Sequence, residues 1–105
     1  MNSETEIINN EDREQFEMQI DGHVARLEYS LDGDRIVYRH TEVPRELQGK
    51  GLAGKLAVYA LEDAREKGRG VIPTCEFVAG YIQRHQEYAD LVPEHERHRV
   101  APRSE

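Results

Sequence analysis

From Gln15 the chain alternates: Phe16, Met18 and Ile20 are apolar, and Gln15, Glu17 and Gln19 are polar. That two-residue period predicts a half-buried strand. Asp21-Gly22 follows, a dipeptide suited to a tight hairpin turn. Ala25, Leu27 and Tyr29 repeat the alternation, and Leu31-Asp32-Gly33-Asp34 turns the chain again. In the third run, residues 35–43, Ile36, Tyr38 and His40 share one face and Val37, Arg39 and Thr41 the other. Pro44 closes it, because proline cannot donate to a ladder. The period then changes. Leu52, Leu56, Ala57, Ala60, Leu61 and Ala64 recur at helical spacing, which predicts a helix over 51–67 stopped by Gly68. Val71, Ile72 and Thr74 predict a strand over 70–75, with Pro73 placing it at an edge or a bulge. Phe77, Val78, Tyr81 and Ile82 predict a second helix over 76–88. The order is β-β-β-α-β-α, an α+β or α/β chain with a mixed, mainly antiparallel sheet. Residues 1–13 read as a flexible arm, 14–92 as one domain, and 93–105, charged and poor in apolar residues, as a disordered tail.

Charge narrows the choice of partner. A net charge of −7 over 105 residues argues against nucleic acid, whose phosphates need a basic surface. It suits a cationic substrate, or serves solubility alone. One cysteine, Cys75, allows no intramolecular disulfide. No apolar stretch spans a membrane, and the polar, acidic N-terminus carries no signal-peptide pattern. The expectation is a cytoplasmic monomer with no membrane partner.

The candidate chemistry lies in Gln48-Gly49-Lys50-Gly51-Leu52-Ala53-Gly54-Lys55-Leu56. Glycines let a backbone approach a ligand closely, and a helix start offers unpaired N–H groups to an anion. The plain alternative is a flexible loop before a helix. A nucleotide P-loop fits poorly, because Leu56 stands where Ser or Thr would hold magnesium. A metal-free pyrophosphate cradle remains.

Gln48-x-x-Gly51-x-Ala53 resembles the acetyl-CoA signature of the GCN5-related N-acetyltransferases, R/Q-x-x-G-x-G/A. The resemblance extends through Tyr38-x-His40-Thr41-x-Val43-Pro44, Leu47-x-Gly49-Lys50-Gly51-Leu52-Ala53 and Pro73-x-Cys75-x-Phe77-Val78. It continues into Tyr81-Ile82-x-Arg84-His85-x-Glu87-Tyr88. Together these are similar to a small branch of that superfamily, minimal domains of about a hundred residues. The resemblance implies acetyl-CoA as co-substrate, an amine acceptor and no metal. The pyrophosphate would rest on the amides of Gln48, Gly49, Lys50, Gly51, Leu52, Ala53 and Gly54, and the pantetheine arm would run along Thr41, Glu42 and Val43. The chain departs from larger members in one respect: the turns at 21–22 and 31–34 leave no space for the helices that often shape the acceptor site.

Two residues are candidates for catalysis. Cys75, at the end of the predicted fourth strand, would sit beside the acetyl thioester and form a transient acyl-enzyme; the plain alternative is a small buried hydrophobe. His40 would serve as general base toward the amine or Cys75; otherwise it is a partly exposed strand residue. Tyr81 lies near where larger members carry a tyrosine that protonates the leaving thiolate, although packing explains it as well, and Tyr88 is a weaker version of the same idea. Lys50 and Lys55 would face CoA phosphates, or be solvated charges; Arg84-His85 would reach the same region. His95-Glu96-Arg97-His98 lacks the spacing of a zinc helix. The reading is an acetyl-CoA-binding N-acetyltransferase. Its alternative is a non-catalytic CoA-binding or protein-interaction module.

Overall fold

The computed structural model describes residues 6–102. Five strands form one sheet in the order β1-β2-β3-β4-β5: β1 Ile7–Asn10, β2 Gln15–Ile20, β3 His23–Asp32, β4 Arg35–Glu42 and β5 Gly70–Pro73. The first four are antiparallel neighbours, and β5 pairs β4 in parallel. The helix between them, α1 Leu52–Lys67, makes the crossover, and α2 spans Glu76–Arg84. This is the predicted mixed sheet, and β5 with its Pro73 is an edge strand as expected.

Local chemistry explains the turns. Asp21 and Gly22 both take positive φ, 51° and 80°, as a two-residue hairpin of the favoured hand requires. Gly68 ends α1 at φ 69°, and the Arg69 N–H returns to the Ala64 C=O at 2.9 Å, which satisfies an orphan carbonyl of the last turn.

One face of the sheet carries Phe16, Met18, Ala25, Leu27, Tyr29, Ile36 and Tyr38, all buried, under the Leu52, Leu56, Ala57, Ala60, Leu61, Ala64 stripe of α1. The alanines bring helix and sheet close enough for the Tyr38 hydroxyl to donate to the Ala60 C=O at 2.6 Å.

Three expectations change. Residues 7–10 of the expected flexible arm form β1, with Ile7 opposite Met18 and Asn10 opposite Gln15. The second helix stops at Arg84 rather than continuing to 88, and 3₁₀ turns cover Gln86–Leu91 and Glu94–Val100. Part of the expected disordered tail is therefore ordered. Val100 is buried, and the Gln86 and Gln83 amides donate to the Val100 and Arg99 carbonyls at 3.0 and 3.1 Å. The rest of the expected arm and tail, 1–5 and 103–105, lies outside the described residues.

Candidate active site

The parallel pair β4–β5 ends at Tyr38 opposite Pro73, while β4 runs on to Glu42. The chain after β5 swings back onto β4. The Tyr38 C=O accepts both the Cys75 N–H at 2.9 Å and the Thr74 hydroxyl at 3.0 Å. Beyond this point β4 has no partner on that side, and the sheet opens.

Across the opening stands the glycine-rich run. A 3₁₀ turn at Arg45–Leu47 is pinned by buried Leu47, and the Gln48 side-chain amide donates to the Val43 C=O at 3.3 Å. Gly49 and Gly51 take φ 84° and 73°, a region that L side chains enter only with strain. Gly51 is the N-cap of α1 and supplies no side-chain cap. The first intrahelical bond is Lys55 N–H to Gly51 C=O, 3.2 Å, so the amides of Leu52, Ala53 and Gly54 have no intrahelical acceptor. A Cβ at Gly49, Gly51 or Gly54 would meet nothing within 4 Å. Val43, Gln48, the glycines and Phe77 of α2 line a groove of about 220 Å³. Phe77 escaped the sequence reading as a site residue because an aromatic at helical spacing reads as core. Lys50 and Lys55 are exposed, and Tyr81 shares a shallow surface with Gly51, Gly54 and Lys55. These features fit an elongated anion: free amides, a helix N-terminus and room where side chains would otherwise intrude.

Cys75, 6% exposed, is the N-cap of α2. Its sulfur lies 3.3 Å from the Thr41 hydroxyl. His40, one of whose two expected roles was base toward Cys75, points elsewhere. Register explains the difference: Tyr29 faces Tyr38, but Glu28 faces His40. Arg39 is thus an extra residue on β4, a bulge that exchanges the faces beyond it. Thr41 joins Leu27 on the core face, while His40 turns to the open face. There its Nε2 lies 3.4 Å from Glu42 Oε1, beside the Arg26–Glu28 pair at 2.9 Å. The Arg26 hydrogen bond holds the Glu28 carboxyl below its ordinary range. Thr41 rather than His40 is the side chain beside the Cys75 sulfur.

The tyrosines also separate. Tyr81 stacks on His85 with centroids 4.1 Å apart. Tyr88, also named as a proton donor, is committed elsewhere: its hydroxyl donates to Glu62 at 2.9 Å and Arg65 lies over its ring. Burial, then the Glu62 contact, pushes the Tyr88 phenol up to about 12; burial raises the Tyr38 phenol as well. Both stabilise the neutral form, so the unfolded chain loses these protons first. Stability is expected to be complete below the ordinary phenol value of about 10 and to fall as pH rises from there to about 12. Urea midpoints measured across that window should decline less in Tyr88→Phe than in wild type. Equal decline would remove Tyr88 from the account.

Comparison with known proteins agrees with this architecture. Residues 15–91 match the profile of the GCN5-related N-acetyl-transferases. The chain belongs to that family. Among its relatives is protein NATD1 of Mus musculus, 36% identical over 74 residues, a match covering 68% of this chain and 67% of that protein. The Homo sapiens NATD1 is 36% identical over 74 residues, covering 68% of this chain and 66% of its own length. The NMR solution structure of a GCN5-like protein from Staphylococcus aureus superposes with a TM-score of 0.67 at 28% identity, covering 84% of this chain and 87% of that one. In this small GCN5-related domain the glycine-rich groove, the open end of β4 and Cys75 adjoin. Among the described residues no three His, Cys, Asp or Glu side chains form a set that could hold a metal ion, and no helix is long and apolar enough to cross a membrane.

Proposed function

We propose that this domain binds acetyl-CoA and transfers its acetyl group to an amine. The observation that carries the reading is the uncapped start of α1 on left-handed Gly51, facing the open end of β4 where Cys75 lies. The pyrophosphate rests on the amides of Gln48 to Gly54, with the exposed Lys50 and Lys55 of the same segment contributing charge. The pantetheine arm runs along Thr41, Glu42 and Val43, where β4 lacks a neighbour. Phe77 and Tyr81 supply apolar surface beside it.

Cys75 is the acyl carrier in this reading. Its sulfur stands at the N-cap of α2, 3.3 Å from the Thr41 hydroxyl. The thiolate attacks the acetyl carbonyl, the sulfur–carbon bond to CoA breaks, and CoA leaves as a thiolate. A neutral amine then attacks the cysteine thioester. The nitrogen–carbon bond forms, the Cys75 thiolate is restored, and the amine's proton passes to water.

Single-turnover reaction of the protein with acetyl-CoA, quenched and read by peptide mass, should find acetyl on Cys75 before any amine is added. Cys75→Ala should reduce steady-state transfer by at least about a hundredfold, as loss of a covalent nucleophile does. A Cys75→Ala protein that transfers at the wild-type rate would assign direct attack by the amine. Acetyl-CoA binding without turnover on polyamines, amino acids or lysine peptides would leave a CoA-binding module.

A further inference from the structure

α2 presents three faces. Val78 and Ile82 enter the core, and Phe77 and Tyr81 look toward the glycine-rich loop and the start of α1. Glu76, Ala79, Gly80, Gln83 and Arg84 line a separate open groove of about 840 Å³, closed on its other sides by Pro73, Thr74 and Arg99. Thr74 and Glu76 of this groove flank Cys75 in the chain, and Phe77 of the glycine-rich groove follows two positions after it, so the two grooves lie on two sides of one helix near its N-cap.

We propose that this second groove is the acceptor site, and that it takes an amine that also carries a carboxylate. This rests on the transfer reading above. Three observations point to it. First, the groove's lining holds two arginines against one glutamate, on a chain whose net charge is −7. Arg99 is held by Glu96, whereas Arg84 forms no salt bridge among the described residues and is left to bind an anion. Second, the charges are ordered along the helix. Glu76 stands next to Cys75 in the chain, where it would hold the ammonium until that group gives a proton to water and attacks as the neutral amine, and Arg84 stands eight positions later, roughly 12 Å along an α-helix. Third, Gly80 sits mid-helix with no positive φ, so no backbone strain calls for glycine. It lowers the groove floor instead, since a Cβ there would stand 3.6 Å from the Arg84 guanidinium. The acceptor class is therefore an ω-amino acid or short peptide whose amine and carboxylate are roughly 10 Å apart, about three extended residues.

The test is an amide NMR titration of the full chain with 8-aminooctanoate and, separately, 1,8-diaminooctane, which has the same length and no carboxylate. The expected result is a set of shifts centred on Ala79, Gly80, Gln83 and Arg84 for the amino acid, with the diamine binding about ten- to a hundredfold more weakly, the worth of a charge-assisted hydrogen bond. Arg84→Gln should bring the amino acid down to the diamine's level, and Gly80→Ala should weaken binding while raising the unfolding temperature. Equal binding of the two probes, shifts elsewhere, or an Arg84→Gln protein with wild-type affinity would overturn the proposal. In the transfer assay, Arg84→Gln should raise KM for 8-aminooctanoate far more than it lowers kcat; an unchanged KM would overturn the assignment. The transfer reading fails separately, by absence of acetyl-CoA binding or of turnover on an amine that the groove holds.

Discussion

Gly54→Glu is expected to abolish acetyl-CoA binding in a domain that is more stable than wild type. Gly54 lies in the first turn of α1 with no positive φ, and a Cβ there would touch nothing within 4 Å. Replacing a helical glycine recovers about 0.5–1 kcal/mol, and an acidic residue in the first turn adds about 0.3–1 kcal/mol through the helix dipole. The same carboxylate occupies the place proposed for the pyrophosphate. Two unit charges 4 Å apart repel by roughly 4 kcal/mol at an effective dielectric of 20, so Kd should rise by at least about a hundredfold. Thermal unfolding with and without ligand separates the two effects. A hundredfold excess over Kd stabilises wild type by about 2.7 kcal/mol; Gly54→Glu should start higher and gain almost nothing. Gly54→Ala, which adds no charge, should start higher and still respond. If Gly54→Glu responds like wild type, the anion cradle is elsewhere. Gly51→Glu is a poorer probe: at φ 73° any side chain is strained by roughly 1–2 kcal/mol, so binding and stability would fall together.

Tyr38→Ala should cost about 3–5 kcal/mol, the range for removing a buried aromatic. Small domains hold about 5–15 kcal/mol in all. Tyr38 is fully buried in β4, tilts against Phe16 and donates to the Ala60 C=O across the sheet–helix interface. Tyr38→Phe keeps the ring and removes only the hydrogen bond, so its cost should be about 0.5–1.5 kcal/mol. At about 4–8 °C per kcal/mol, the two melting temperatures should be well separated. Equal losses would mean that the hydroxyl, not the ring, holds α1 to the sheet. The position also bears on the site, because the Tyr38 C=O fixes both Thr74 and Cys75. Tyr38→Ala at low temperature should loosen the Cys75 turn before it unfolds the glycine-rich loop.

The parts of the fold set by local preference were legible in the sequence. The alternation of Phe16, Met18, Ile20 and of Ala25, Leu27, Tyr29, the Asp21-Gly22 turn, and the Leu52 to Ala64 stripe each specify an element through a period or a backbone angle that neighbouring residues fix. The glycine-rich run proposed as the cradle was legible for the same reason. Its glycines and helix start are contiguous, and the amides they expose belong to that one segment.

What escaped depends on residues distant in the chain. β1, Ile-Ile-Asn-Asn, has no alternation to reveal it; it is a strand because β2 offers a free edge opposite it. The 94–100 turn holds because Gln83 and Gln86 reach its carbonyls and Val100 finds a buried place. The face of His40 was beyond sequence reading, since strict alternation puts it with Ile36 and Tyr38. A bulge is a mismatch between two strands, and only the pairing of β3 with β4 shows the extra residue at Arg39. The sequence by itself determined the alternating strands, the α1 stripe and the glycine-rich helix start, because each is a property of a single segment. The tertiary structure alone decided that Thr41 rather than His40 meets Cys75, because the face a strand residue takes depends on the register of its partner.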